Sequence, residues 1–117
     1  MSNLGNYFWI SQPSTLYGAV TPIALGGGAF QNCKCYTHVQ AAIEFSGNTP
    51  ANTINLQLSW YDANKVLLFT ETICSSTLAA DNVANYLPIK GYAVKANITG
   101  SNNAAFTASV QIILQQY

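Results

Sequence analysis

Residues 54–61, Ile-Asn-Leu-Gln-Leu-Ser-Trp-Tyr, decide the fold class, because apolar and polar side chains alternate along the whole stretch. Successive side chains of a β-strand point to opposite faces, so the pattern predicts a strand with one buried and one polar face. Residues 62–65 carry the Asp and Asn of a tight turn, and residues 66–73 are rich in β-branched and aromatic side chains. We therefore expect an antiparallel hairpin. Alternation does not decide which face of its second strand is inward, and the pattern is compatible with cover on both faces.

The same alternation predicts further strands over residues 36–45, 92–99 and 106–114. Residues 100–103, Gly-Ser-Asn-Asn, reverse the chain between the last two strands, which should form a second antiparallel hairpin. Residues 75–86 combine Ser, Ala and Asn, a composition that fits a loop or one short helical turn. Strands at this spacing predict an all-β fold, an antiparallel β-sandwich that is jelly-roll-like and carries an N-terminal arm.

The chain has 117 residues, which is enough for one domain with one core. Its N-terminal part differs from the rest, because Pro13, Pro22 and the run of three glycines at 26–28 interrupt any long strand. We expect residues 1–35 to form an arm and short strands packed on or beyond the domain. Residues 36–117 should form the β-sandwich core.

The aromatic residues are the best lead to function, since rigid rings supply contact area at small entropic cost. The arm holds a dense apolar cluster formed by Tyr7, Phe8, Trp9 and Ile10. These four residues are candidates for docking on another copy or on a shell protein, and capping of the protein's own core is the equal alternative. Trp60 should point inward, whereas Tyr61 and Tyr92 should be exposed near strand ends and able to stack on a sugar ring.

Charged side chains are scarce, with four Lys, no Arg, four acids and one His. The scattered lysines exclude nucleic-acid binding as the main role, because that role needs clustered cations to neutralise phosphates. Zero net charge gives little repulsion between copies and favours a homo-oligomer. No recognisable catalytic motif is formed by the candidate acids and base, which are Glu44, Asp62, Glu71, Asp81 and His38. We therefore expect no catalytic residues and no enzyme activity.

Three cysteines and one histidine, Cys33, Cys35, Cys74 and His38, have the composition of a Cys3His zinc set. Zinc sites usually separate paired cysteines by about two to four residues, whereas a single residue separates Cys33 from Cys35. Cysteines two apart on an extended strand are also poorly placed to bond each other. Buried free thiols are the preferred interpretation, with at most one disulfide, and we expect no metal and no other cofactor.

No apolar stretch in the chain approaches the roughly 18–20 residues needed to span a bilayer. The start, MSNLGNYFWIS, has neither the cationic region nor the long apolar region of a secretory signal. We therefore expect no membrane partner and synthesis inside a cell, a history that fits a particle assembled in host cytoplasm and later released.

The segment INLQLSWYDANKVLL (residues 54–68), followed by LPIKGYAVKANITGSNNAAFTASVQIIL (residues 87–114), resembles β-sandwich modules of accessory proteins in tailed-phage particles. The shared pattern is a strand ending in Trp-Tyr-Asp, a turn, an apolar strand, a Gly-led strand and a terminal hairpin. Carbohydrate-binding sandwiches have this pattern too. The resemblance implies a capsid decoration, cement or tail protein that binds a repeating protein shell without catalysis, often as a trimer. Residues 1–35 lie outside it.

Two functions fit these residues. The first is a non-enzymatic virion structural protein, a capsid decoration or cement protein that binds and stabilises a shell through self-association and docking of the arm. Its partners would be copies of itself and a major shell or tail protein. The alternative is a carbohydrate-binding module or lectin-like sandwich, in which Tyr61 or Tyr92 stacks on a sugar.

Overall fold

The computed structural model describes residues 7–10, 15–17, 23–24, 30–49, 52–102 and 106–115, the first three ranges by their backbone alone. Every regular element in these ranges is a strand. The strands are β1 (Tyr7–Ile10), β2 (Thr15–Tyr17), β3 (Ile23–Ala24), β4 (Gln31–Asn32), β5 (His38–Ser46), β6 (Ile54–Tyr61), β7 (Leu67–Ser76), β8 (Asp81–Pro88), β9 (Ala93–Gly100) and β10 (Phe106–Gln115). This part of the chain contains no helix long and apolar enough to cross a membrane.

The strands form two antiparallel sheets. Sheet A has the order β1-β10-β5-β8, with β2 also paired to β10, and sheet B has the order β3-β9-β6-β7, with β4 also paired to β9. The chain changes sheets at six of the nine connections between these strands, and β6 and β7 are the consecutive strands that pair with each other. When the short pairs β1 with β2 and β3 with β4 each count as one position, this is the strand order of a jelly roll. The predicted all-β, jelly-roll-like sandwich is therefore confirmed.

The core lies between the sheets and is built from the inward-facing residues that alternate along β5, β6, β9 and β10. Its largest fully buried apolar side chains are Trp60, Phe106, Ile54, Leu56, Leu58, Ile98, Ile112 and Leu114. Trp60 is inward, as predicted, and its indole Nε1 donates a 2.6 Å hydrogen bond to Oε2 of Glu71. Glu71 in turn forms a 2.7 Å ion pair with Lys90. The indole N–H of this buried ring thus has a charged acceptor.

The predicted hairpin of residues 54–73 is confirmed as the antiparallel pair of β6 and β7. Asp62 forms its turn, because its Oδ1 accepts hydrogen bonds from the backbone N–H groups of Asn64 (2.8 Å) and Val66 (3.0 Å). Lys65 takes the left-handed conformation that closes the turn, with φ of 64°. An Asp and an Asn in these positions are what tight turns use, which is why the sequence located this one correctly.

The second predicted hairpin, between residues 92–99 and 106–114, is wrong. The two strands exist as β9 and β10, but β9 pairs with β6 in sheet B and β10 pairs with β5 in sheet A. β9 and β10 therefore lie in different sheets and do not form a hairpin. Strands of one hairpin and strands of two facing sheets can have the same alternation, so periodicity alone cannot distinguish them.

The prediction of a loop or helical turn at residues 75–86 is also wrong. β7 continues to Ser76, and β8 begins at Asp81 and pairs along its length with β5. β8 is an edge strand of sheet A, where only one backbone edge is paired, and Val83 and Leu87 face the core from it. Its Ala and Asn residues have low strand propensity, and the pairing with β5 overrides that preference.

Two buried asparagines hold together three of the connections between the sheets. Asn52 donates to Oδ1 of Asn48 (2.8 Å), and Asn48 donates to the backbone carbonyl groups of Asn52 (2.9 Å) and Leu78 (3.0 Å). Oδ1 of Asn52 accepts from the backbone N–H of Asn102 at 3.0 Å. A Cβ at Gly100 would lie 2.9 Å from the same Oδ1, so only glycine allows this close approach. The β5–β6, β7–β8 and β9–β10 connections thus meet at one amide pair.

Replacing Asn52 with Ala should lower the free energy of unfolding by about 3 kcal/mol, because it leaves buried partners of the amide without hydrogen bonds. Guanidinium denaturation followed by circular dichroism measures the change. The matched control is Asn64→Ala in the β6–β7 turn, where the side chain is exposed and we expect a change within about 0.5 kcal/mol. Equal effects of the two substitutions would show that the Asn48–Asn52 pair does not hold the connections.

Candidate assembly surface

The most unusual surface of the protein lies at the start of β7. Four consecutive apolar residues are exposed there: Val66 (57%), Leu67 (52%), Leu68 (51%) and Phe69 (42%). We call these four residues the β7 edge. Among the described strands β7 pairs with β6 alone, so its other backbone edge is the outer border of sheet B. An exposed apolar strand at a sheet border is a template for pairing with another chain.

The apolar side chains of the β7 edge lie on both faces of sheet B. Leu67 is opposite Tyr61, whose side chain is on the outer face, and Phe69 is opposite Trp60, whose side chain is on the inner face. The register shifts between these two pairs, and Leu68 has no residue opposite it, as in a β-bulge. Among the described residues, neither face of β7 is covered at this end. The sequence pattern was compatible with cover on both faces, and the β7 edge does not have it.

The structure places the predicted docking residues Tyr7, Phe8, Trp9 and Ile10 in β1, whose backbone pairs with residues 111–114 of β10. Their side chains lie outside the described residues. β1 is on the opposite side of sheet A from β8, so the predicted docking residues and the β7 edge are on opposite sides of the sandwich. The division into an arm at 1–35 and a core at 36–117 remains a prediction.

The structure brings the two predicted sugar-stacking residues close together. The backbone N–H of Tyr92 donates a 2.9 Å hydrogen bond to the carbonyl oxygen of Tyr61. The Tyr92 side chain is exposed, and that of Tyr61 is half-buried on the outer face of sheet B. Exposure near strand ends was predicted, and their proximity was not, because it depends on the chain from Gly91 returning beside the end of β6.

A group of aromatic and lysine side chains surrounds Tyr61. The Tyr61 and Phe30 rings meet edge to face, with centroids 4.8 Å apart. Nζ of Lys95 lies 4.2 Å from the Phe30 centroid and 5.5 Å from that of Tyr61, and Nζ of Lys65 lies 5.3 Å from the Phe30 centroid. We call these four residues the aromatic–lysine cluster. Sequence reasoning missed Phe30, Lys65 and Lys95, since three separate segments supply them and no periodicity links the segments.

A shallow depression of about 490 Å³ lies at the end of sheet A, where β5, β8 and β10 meet. Two carboxylates, those of Glu44 and Asp81, line it together with hydroxyl and amide side chains. Asp81 accepts hydrogen bonds from Oγ of Ser76 (3.1 Å) and from the backbone N–H of Asn82 (2.8 Å). The Asn82 amide lies 3.2 Å from Oε2 of Glu44 and can donate to it when its nitrogen faces the carboxylate. These acids are engaged in local hydrogen bonds that order the start of β8.

The three cysteines occupy different environments. Cys33 and Cys74 are buried in the core, and Cys35 is exposed. Burial disfavours the charged thiolate and raises the pKa of Cys33 to about 12 and that of Cys74 to about 11. Among the described residues, no group of three or more His, Cys, Asp or Glu side chains is arranged to hold a metal ion.

No protein-family model and no curated protein matches this chain. Solved structures do match its fold. The VP2 subviral particle of infectious bursal disease virus matches with a TM-score of 0.70 at 10% identity, covering 99% of this chain and 34% of that one. The PRD1 vertex protein P5 matches with a TM-score of 0.59 at 10% identity, covering 99% of both chains.

Another match is the Clostridium thermocellum xylanase 10B CBM22-1–GH10 modules complexed with xylohexaose, with a TM-score of 0.59 at 11% identity. It covers 94% of this chain and 26% of that one. For comparison, this chain spans about a third of the length of the infectious bursal disease virus protein. At such low identities these likenesses establish a shared fold. Proteins of viral particles are among the structures that share this fold, while the narrower likeness to tailed-phage accessory proteins predicted from the sequence is not shown.

The different environments of the cysteines predict selective thiol labelling. At pH 8 a disulfide reagent should modify Cys35 rapidly and leave Cys33 and Cys74 unmodified until the protein unfolds, because reaction requires an accessible thiolate. Cys35→Ser should abolish the fast phase. Three thiols that react equally fast in the native protein would contradict this arrangement.

The two buried thiols also predict a loss of stability at high pH. Folding raises the pKa of both thiols above the ordinary 9.0, so the stability contributed by their protonated forms is fully present below pH 9 and falls as the pH rises towards 11–12.

Proposed function

We propose that this protein is a non-enzymatic structural component of a virus particle, and specifically a capsid decoration or cement protein. In this role it binds copies of itself and a major shell or tail protein, and it resides in virions assembled in host cytoplasm. The β7 edge is the observation that carries the proposal. If the protein acted as a monomer, four consecutive apolar residues would be in contact with water at a sheet border. Charged residues or Pro usually occupy such borders and prevent association.

The charge distribution supports association through this edge. Val66, Leu67, Leu68 and Phe69 include no charge, and the whole chain has zero net charge. The nearest acidic residue along β7 is Glu71, whose carboxylate is already occupied by Lys90 and by the indole of Trp60. A partner that covers the β7 edge therefore buries apolar surface without having to desolvate an unpaired carboxylate on β7.

The fold supports the same proposal at a coarser level. The likeness to the PRD1 vertex protein P5 extends over nearly the full length of both chains, and the likeness to the infectious bursal disease virus VP2 particle covers nearly all of this one. Both are proteins of viral particles. Edge strands on two sides of a jelly roll provide separate surfaces, so one copy can contact a neighbour through β7 and another protein through β1. A trimer is the proposed form of self-association, with Tyr7, Phe8, Trp9 and Ile10 proposed to dock on the shell.

A single charge placed in the β7 edge should dissociate the oligomer. We expect light scattering to give an oligomeric mass, a trimer first, for the wild-type protein and a monomeric mass for Leu68→Lys. The matched control is Leu78→Lys, because Leu78 is as exposed (55%) and lies in the β7–β8 loop at the other end of β7. A wild-type monomer at all concentrations, or equal masses for the two variants, would contradict the proposal. Circular dichroism checks that each variant is folded.

A carbohydrate-binding module is the second candidate function. The adjacency of Tyr61 and Tyr92 favours it, as does the fold likeness to the xylanase modules that were solved with xylohexaose. Saturable binding to a glycan array by a stable monomer would favour this candidate over a virion structural role.

A further inference from the structure

We propose that the aromatic–lysine cluster, formed by Phe30, Tyr61, Lys65 and Lys95, is a binding site for an acidic sugar. The ligand class is a saccharide that carries a carboxylate or a sulfate. The proposal extends the second candidate function by naming the charge of the ligand and the groups that bind it. The cluster shares no residue with the β7 edge, although it adjoins that edge where Tyr61 pairs with Leu67.

The first observation is that neither lysine forms an ion pair with an acid in the part of the chain that the structure describes. The Nζ atoms of Lys65 and Lys95 both lie within 5.3 Å of the Phe30 ring centroid. The salt bridge found among the described residues joins Lys90 to Glu71 instead. Asp62 is the acid nearest to the cluster along the chain, and its Oδ1 already accepts two backbone hydrogen bonds of the turn. Aromatic faces hold the ammonium groups without neutralising them, so this surface retains positive charge.

The second observation is that the cluster combines this charge with a ring and with uncharged polar groups. Tyr61 and Lys95 share the outer face of sheet B with the half-buried amides Gln57 and Asn97. Oδ1 of Asn97 is buried and has no hydrogen-bond partner among the described residues. A sugar needs an aromatic surface for its C–H groups and amide or hydroxyl groups for its own hydroxyls. The outer face of sheet B offers both beside the two ammonium groups.

Charge and shape favour an acidic sugar over other anionic ligands. Two lysines are too few to bind a nucleic acid through counterion release, which depends on many phosphate contacts. An acidic peptide could pair with the lysines but would make few specific hydrogen bonds to the polar side chains on the outer face of sheet B. A saccharide with one acidic group uses the lysines, the ring and these polar side chains together.

The test measures binding of 3′-sialyllactose and of a sulfated heparin tetrasaccharide by calorimetry, with lactose as the neutral probe and a glutamate peptide as the acidic peptide probe. We expect at least one acidic sugar to bind, lactose to bind at least about tenfold more weakly, and added salt to weaken binding. Comparison of the carboxylated and the sulfated probe identifies the preferred acid. Absence of binding to both acidic sugars, equal affinity for lactose, or preference for the peptide would overturn the proposal.

Substitutions assign the binding to the cluster. Lys95→Gln and Lys65→Gln should each weaken binding of the acidic sugar about tenfold. Because the Lys65 side chain is exposed, its substitution should leave the fold intact, and misfolding would not explain the loss of affinity. The matched control is Lys34→Gln, which removes the same charge from an exposed lysine outside the cluster and should leave affinity unchanged. If Lys34→Gln weakens binding as much as Lys95→Gln, net charge rather than the cluster binds the sugar. All three variants should keep the wild-type solution mass, so the outcome is independent of the test of the β7 edge.

Discussion

The buried pair Asn48 and Asn52 is the constraint on which the rest of this structure depends. A jelly roll requires the chain to cross between sheets repeatedly, and each crossing leaves backbone groups that no strand partner satisfies. Here one amide pair bonds to the backbone of three crossings, and the absence of a side chain at Gly100 lets the third approach. Because these crossings send β8 and β10 to sheet A, β7 is left at the border of sheet B. The exposed position of the β7 edge, the proposed assembly surface, is therefore a consequence of topology.

The position of β7 is secured without covering its apolar start. Near the middle of the strand, Glu71 accepts from the indole of Trp60 and pairs with Lys90, and further along, Ile73 and Cys74 are buried. The large apolar side chains of residues 66–69 remain exposed to solvent. A strand that is anchored along one half and exposed along the other can pair with a second chain without unfolding the sandwich. The scarcity of charge over the whole surface acts in the same direction, since neighbouring copies repel each other little.

Alternation predicted β5, β6, β9 and β10 because each of these strands has one buried and one polar face, and the turn at Asp62 predicted the first hairpin. Alternation says nothing about which strands are neighbours, so β9 and β10, which lie in different sheets, were predicted to form a hairpin. It also says nothing about buried polar groups, and the hydrogen bonds of Asn48 and Asn52 join residues distant in the sequence. The aromatic–lysine cluster depends on long-range register, which places Phe30 and Lys95 beside Tyr61. Of the predicted sugar-stacking residues, Tyr92 is exposed as expected and Tyr61 is half-buried, and their role stays a prediction. The sequence predicted the β7 edge as part of a strand but not as a surface.

Hydrogen–deuterium exchange as a function of protein concentration tests the central claim most directly, because it reports on the backbone border of β7 itself. In dilute protein the outward-pointing amides of residues 67–70 should exchange rapidly, while those of β6 in the middle of sheet B stay protected. At concentrations where the protein associates, the same β7 amides should become protected and the rest of the sandwich should change little. Exchange at residues 67–70 that is the same in the dilute and the associated protein would contradict the account, since the copies would then meet elsewhere.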